Sequence, residues 1–491
     1  MIDFRMGAAR GPHRSSAAIA IALAALTLSA CSDSPNADWP SANHDGSSTR
    51  SNPHSGITAA NVHGLRLLWR YRIHTTTDSG SITATPVISR GLVYIQDMKS
   101  NVTVLDAQTG RVLWRHVFGD TSPGPNGLAF SDGRVYGATD TTVFALAAAN
   151  GRLLWSHRVI TESARFIDVA PQVFRDNVYV STIGLPPNGR GVLYALDAGV
   201  GKMLWEKSTI LGGFAVPQEA GGGGAWYPPS VDASGVYWGM SNPYPYGGSN
   251  AHPNGGAYAG PALYTDSLVV TDPITGRLLW YDQVTRHDVR DYDFEAPPIL
   301  ANVAHRALVL GAGKAGRVIA WDADSHRRVW TREVGLHRND TGSLPASRTL
   351  VCPGLYGGVE TPMALADGVL FVPVVDLCAY GSSRGYEPLS RLDPTTGHGE
   401  FVALDAGTGR VIWHRTLPLP DFGCATAARD VVFTSTFDGT IYALDVGTGR
   451  TLWTANTGAG INSCPALGGG LLVVGAGVGA ASMLEAFALS K

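Results

Sequence analysis

The stretch Phe401-Val402-Ala403-Leu404-Asp405-Ala406-Gly407-Thr408-Gly409-Arg410-Val411-Ile412-Trp413 decides the fold. A short apolar run leads into Asp, Gly and Thr-Gly at turn positions, and a second run then carries a tryptophan. Asp and Gly favour tight turns, so the segment reads as strand, turn, strand. The pattern recurs as VTVLDAQTGRVLW ending at Trp114, VFALAAANGRLLW at Trp155 and LYALDAGVGKMLW at Trp205. It continues as LVVTDPITGRLLW at Trp280, VIAWDADSHRRVW at Trp330 and IYALDVGTGRTLW at Trp453, with a degenerate copy, HGLRLLW, at Trp69. Adjacent tryptophans lie 45, 41, 50, 75, 50, 83 and 40 residues apart. Short strands at this spacing, with no helical period, predict a β-propeller with four strands per blade.

Eight copies predict an all-β fold, a single eight-bladed β-propeller of four-stranded antiparallel blades over residues 57–491. The first copy has only an outer strand, Leu65 to Tyr71. The last segment, Leu471 to Val474 and Leu484 to Leu489, has inner strands but no final tryptophan. The N-terminal strand is therefore expected to close the ring, which removes open sheet edges.

Of 491 residues, 44% are hydrophobic and 16% charged, which argues for a packed globular chain. Net charge is −3 with no basic block, so nothing points to nucleic acid as a partner. No two of the five cysteines form a C-x-x-C pair, which excludes a structural zinc cluster of that type and a C-x-x-C-H haem attachment. Arg5, Arg10 and Arg14 precede an apolar run from Ala17 to Leu28, closed by Leu28-Ser29-Ala30-Cys31. This reads as an export signal over residues 1–30 and is too short for a comfortable membrane span. Residues 31–56 read as an anchor linker and N-terminal arm. The compartment outside the inner membrane permits disulfides.

Leu28 to Cys31 resembles the bacterial lipobox, which implies lipidation of Cys31 and anchoring on the periplasmic or cell-surface side. The tryptophan repeats, with Asp38-Trp39-Pro40, His44-Asp45 and Thr49-Arg50, resemble the quinoprotein (PQQ-dependent) alcohol dehydrogenase-like family over residues 37–488. The resemblance implies pyrroloquinoline quinone (PQQ) with Ca2+ or a lanthanide. It also implies an alcohol or sugar hydroxyl as substrate and a separate acceptor such as a cytochrome. The same repeat builds a non-enzymatic lipoprotein of outer-membrane assembly, so a scaffold is the alternative.

The choice rests on the long insertions. Gly221 to Trp226 resembles the glycine-rich stretch before the tryptophan that stacks under PQQ; Trp226 lies outside the docking repeat. Gly239-Met240-Ser241-Asn242-Pro243 resembles the segment whose asparagine ligates the metal, and an amide oxygen suits a hard cation. His287-Asp288-Val289-Arg290-Asp291-Tyr292-Asp293 matches the family's H-D-x-W-D-x-D segment, with Arg290 replacing the usual tryptophan. Asp291 is the implied general base and metal neighbour, and Asp293 a further metal ligand. Spaced two apart, both would face one side of an extended strand. Gly313-Lys314-Ala315-Gly316 matches the loop whose lysine meets the quinone oxygens, and Lys314 is one of only 5 lysines against 32 arginines. Cys352 and Cys378 bracket a hairpin-like segment, as the family's disulfide does. Cys424 and Cys464 precede the hydrophobic strands of successive copies and are expected to pair along the channel.

Several positions depart from the family. Pro186 stands where a metal-binding glutamate is usual, and Thr83 where a glutamate contacts PQQ. Pro123-Gly124-Pro125-Asn126 replaces the adjacent cysteine pair that covers the quinone, with Asn126 in place of an arginine. Glu360-Thr361 replaces Asn-Trp. Glu360 could return the missing carboxylate from another blade. Tyr244, Tyr246 and Tyr258 could instead stack on sugars.

Overall fold

The computed structural model describes residues 38–490 apart from 79, 259 and 479–481. The export signal and Cys31 lie outside the described residues. The chain is all-β, and its described helices are three-residue 3-10 turns. Eight four-stranded antiparallel sheets follow one another along the sequence. In seven of them the strands follow in chain order, three times with short strands of other sheets inserted between them. In the eighth, Leu65–Arg72 pairs with Met483–Leu489 at the far end of the chain.

The repeat explains how neighbouring sheets lock together. In the copy ending at Trp413, Asp405 Oδ1 accepts the Thr408 backbone N–H at 2.9 Å and the Thr408 hydroxyl at 2.8 Å, which fixes the turn. Gly409 then takes φ +69°, and a Cβ there would lie 2.6 Å from the Trp330 indole. The same indole donates its Nε1–H to the Ala406 carbonyl at 3.0 Å. Only glycine combines that backbone angle with that closeness. Trp69 meets Gly110, Trp114 meets Gly151, and Trp155 meets Gly201 in the same way. Where Ser325-His326 replaces Thr-Gly, His326 stacks on Trp280 at 4.6 Å and 10° instead. Trp453 Nε1 reaches the Leu65 carbonyl at 3.2 Å, and Trp69 Nε1 the Ala107 carbonyl at 2.8 Å, so the docking series runs through the sheet that joins the two ends.

Four tryptophans lie outside this series. Trp39, Trp238 and Trp321 have 0% exposure and belong to the packed interior. Trp226 alone of the four lines a cavity. Both expected disulfides are present, Cys352–Cys378 and Cys424–Cys464. The second lies in the cavity wall.

Candidate active site

A cavity of about 960 Å³ opens where the inner strands and long insertions meet, within the range of small-molecule sites. Trp226, Asn242, Asp291 and Lys314 all line it, and Asp293 lies behind them. Lys314 Nζ sits 3.1 Å from Asp291 Oδ2 and 2.7 Å from Asp293 Oδ2. Asn242 donates its side-chain amide to Asp291 Oδ1 at 2.8 Å and its backbone N–H to Asp293 Oδ1 at 2.7 Å. Trp226 Nε1 donates to the same Asp293 oxygen at 3.1 Å. Five residues singled out from four separate sequence segments thus form one bonded cluster.

The expected strand through Asp291 and Asp293 is not what brings them together. Residues 284–298 contain no strand, and Asp291 has φ +66°. Asp288 holds the bend, its carboxylate accepting the backbone N–H groups of Arg290 at 2.8 Å and Tyr292 at 2.7 Å. Arg290, at the family's tryptophan position, clamps a neighbouring loop through the carbonyls of Asn339, Thr341 and Gly342. A guanidinium with several donors suits such carbonyl-rich turns.

The electrostatics are lopsided. Burial pushes the Asp291 carboxyl well above the ordinary carboxylate range; Lys314 pulls it back and Asp293 pushes it up again. Burial opposes the charge on Lys314, but Asp291, Asp293, Glu360 and Glu295 outweigh it and hold the ammonium protonated. Glu295 and Glu360 were not recognised as a pair in the sequence. Glu295 is buried and Glu360 partly so, and burial pushes Glu360 up to about 7. Glu295 Oε1 and Glu360 Oε2 have no hydrogen-bond partner among the described residues. No spacing could have signalled this pair, because 65 residues and a whole sheet separate its members.

Four carboxyl groups, three of them on buried residues, around one ammonium form a site that a hard cation fits. Asp291, Asp293 and the Asn242 amide supply oxygen donors of the kind Ca2+ or a lanthanide takes. The indole of Trp226 and the cavity beside it fit a flat aromatic quinone. The departures at the opposite wall are real. Asn126 commits its side-chain N–H to the Asp97 carbonyl at 2.9 Å, and Thr83 gives its hydroxyl to the Gly124 carbonyl at 3.0 Å. Neither is a charged clamp. Leu185, and not Pro186, reaches the cavity from the segment where the glutamate is missing. Tyr244 and Tyr246 line the cavity as an edge-to-face pair 5.6 Å apart, whereas Tyr258 is buried against the Asp288 carbonyl and unavailable for stacking.

Comparisons with known proteins bear on the family. Residues 166–316 match the family described as "Glucose/ethanol/alcohol dehydrogenase, beta-propeller domain", which contains Trp226, Asn242, Asp291, Asp293 and Lys314. Residues 53–214 and 379–486 match the family described as "Outer membrane protein assembly factor BamB". The quinohemoprotein alcohol dehydrogenase of Comamonas testosteroni is 27% identical over 507 residues, covering 87% of this chain and 70% of that protein. Its crystal structure superposes with a TM-score of 0.81 at 22% identity, over 94% of this chain and 81% of that one. The dehydrogenase subunit of the Gluconobacter oxydans alcohol dehydrogenase (quinone) is 30% identical over 302 residues, 52% of this chain and 38% of that subunit. A europium-containing methanol dehydrogenase shares the fold with a TM-score of 0.78 at 20% identity, over 92% of this chain and 98% of that one. Sequence motif, fold and relatives coincide: the chain belongs to the quinoprotein, PQQ-dependent alcohol dehydrogenase-like family of oxidoreductases.

Proposed function

We propose that this chain is an exported, lipid-anchored dehydrogenase that oxidises an alcohol or sugar hydroxyl and passes the electrons to a separate acceptor such as a cytochrome. The observation that carries the reading is the convergence of Trp226, Asn242, Asp291, Asp293 and Lys314 on one end of one cavity. PQQ, when bound, would supply a carbonyl carbon as hydride acceptor, and a cation would supply the charge that polarises it. Asp291 takes the hydroxyl proton, its carboxylate being aimed by the Asn242 amide. Asp291, raised by burial, would hold a cation together with Asn242 and Asp293, and the positive charge would favour its ionised form. Lys314 presents a fixed positive charge to the cavity, and Trp226 forms one face of the slot. Asp293 orients both by accepting the Trp226 N–H and facing the ammonium.

The eight sheets are read as eight blades of a closed ring over residues 57–491. The Trp453 to Leu65 and Trp69 to Ala107 contacts support closure by the N-terminal strand. Lipidation of Cys31 rests on the Leu28-Ser29-Ala30-Cys31 motif. Among the described residues no helix is long and apolar enough to cross a membrane.

The test is titration of the purified protein with PQQ in the presence of Ca2+ or La3+. A saturable change in quinone absorbance and alcohol-dependent dye reduction are expected. Failure of both under both ions overturns the dehydrogenase. A second reading, a non-enzymatic envelope scaffold, is favoured by the uncharged Asn126 and Thr83 wall and by the outer-membrane assembly match. Saturable PQQ binding that is lost in Asp291→Ala or Trp226→Ala excludes it.

A further inference from the structure

A second cluster of metal-ligating side chains lies on the sheet that contains Val369–Asp376, His398–Asp405 and Val411–Leu417. Asp376 pairs directly with His398 across the first two strands. Glu400 is two residues beyond His398 and so projects to the same face. His414 sits diagonally across from Glu400 on the third strand, within reach of a long side chain. The ligand atoms of Asp376, His398 and Glu400 all lie within 4.8 Å of one another.

Two features set this group apart from a solvated patch of charge. The Asp376 side chain is 1% exposed. Its Oδ1 accepts the Leu336 backbone N–H at 2.8 Å, while Oδ2 makes no hydrogen bond and lies 3.2 Å from His398 Nε2. A buried carboxylate oxygen without a donor is costly unless a proton or cation meets it. In addition, His414 Nε2 lies 3.3 Å from Glu400 Oε2, close enough to orient that carboxylate. A ligand fixed by a further hydrogen-bonding group is characteristic of protein metal sites.

We propose that Asp376, His398 and Glu400 bind one Zn2+-class transition ion, with His414 positioning Glu400. One imidazole and two carboxylates suit zinc and its first-row neighbours, whereas Ca2+ takes oxygens alone and is not a competitor here. His398 is about two-fifths exposed, which leaves a path for the ion and room for a water as a further ligand.

The experiment is a zinc titration of the chelator-treated full-length protein against a chromophoric competing chelator, with millimolar Ca2+ present throughout. One saturable zinc site per chain is expected, accompanied by a rise in Tm. His398→Gln and Glu400→Gln, both at accessible positions, are expected to abolish that site while unfolding cooperatively. His414→Gln weakens it by roughly 10–100-fold, as loss of a positioning group does. Asp293→Asn, in the Lys314 cluster, leaves it intact. The proposal is overturned if no saturable binding is seen, if His398→Gln binds zinc as the parent does, or if Asp293→Asn removes the site.

Discussion

Replacing Glu360 by glutamine is expected to stabilise the metal-stripped protein at neutral pH and not at acid pH. Glu360 is partly buried against Glu295, and burial raises it from an ordinary 4.5 to about 7, with Lys314 only partly offsetting the rise. The folded protein therefore holds a proton that the unfolded chain has released across this interval. For a carboxyl raised in the folded state, stability is fully present below about 4.5 and is lost as pH rises toward about 7. A rise of about 2.5 units, at about 1.4 kcal/mol each, sets the loss near 3 kcal/mol, shared with Glu295 because the proton belongs to the pair. Glutamine keeps the shape, can donate to Glu295, and does not titrate. Urea unfolding of parent and Glu360→Gln at pH 5 and pH 8 should give similar midpoints at the lower pH. At the higher pH the variant should be ahead by about 2–3 kcal/mol. Adding Ca2+ or La3+ should narrow the gap, since the cation compensates the same excess of negative charge. Equal pH dependence in the two proteins would refute the claim that this pair carries a shared proton.

Asp291→Asn is expected to lower alcohol-dependent dye reduction by roughly 10²–10⁴-fold, the usual worth of a general base, while PQQ still binds; loss of binding instead would make Asp291 structural. Trp226→Ala should weaken PQQ binding at least tenfold, read from quinone absorbance or fluorescence quenching, by removing the stacking face. Gly449→Ala and Gly458→Ala share a positive φ, +69° and +75°, but only the first places a Cβ 2.6 Å from an indole, that of Trp413. Gly449→Ala should therefore cost about 1–3 kcal/mol more than Gly458→Ala in thermal or urea unfolding, as overpacking does; equal losses would remove the indole's role in docking. Thiol titration of the denatured, unreduced protein should find no free thiol among Cys352, Cys378, Cys424 and Cys464.

Much of the architecture is legible in the chain because the repeat is local. A turn residue, a glycine and a tryptophan within thirteen positions specify one hairpin, and each hairpin docks on the next copy of itself. The same locality makes the substitution at His326 readable only in hindsight, since a stacked imidazole can occupy the slot the glycine normally leaves. The five candidate site residues were also legible, through motifs that resemble a known family. Their mechanism of convergence was not. Two-residue alternation suggested a strand for Asp291 and Asp293, but Asp288 and a left-handed Asp291 form a loop that places both carboxylates against Lys314.

By itself the sequence pointed to the class of fold, eight docking repeats, two disulfide pairs and five candidate site residues. Only the tertiary structure decided that Glu295 and Glu360 form a pair, that Asn126 gives a side-chain N–H to the Asp97 carbonyl, and that Asp376, His398 and Glu400 meet. The reason is physical. Turn and strand preferences act over a few residues and leave periodic marks in the chain. Burial, charge balance and ligand geometry depend on which side chains different strands and sheets bring within a few ångströms, and no local pattern encodes that.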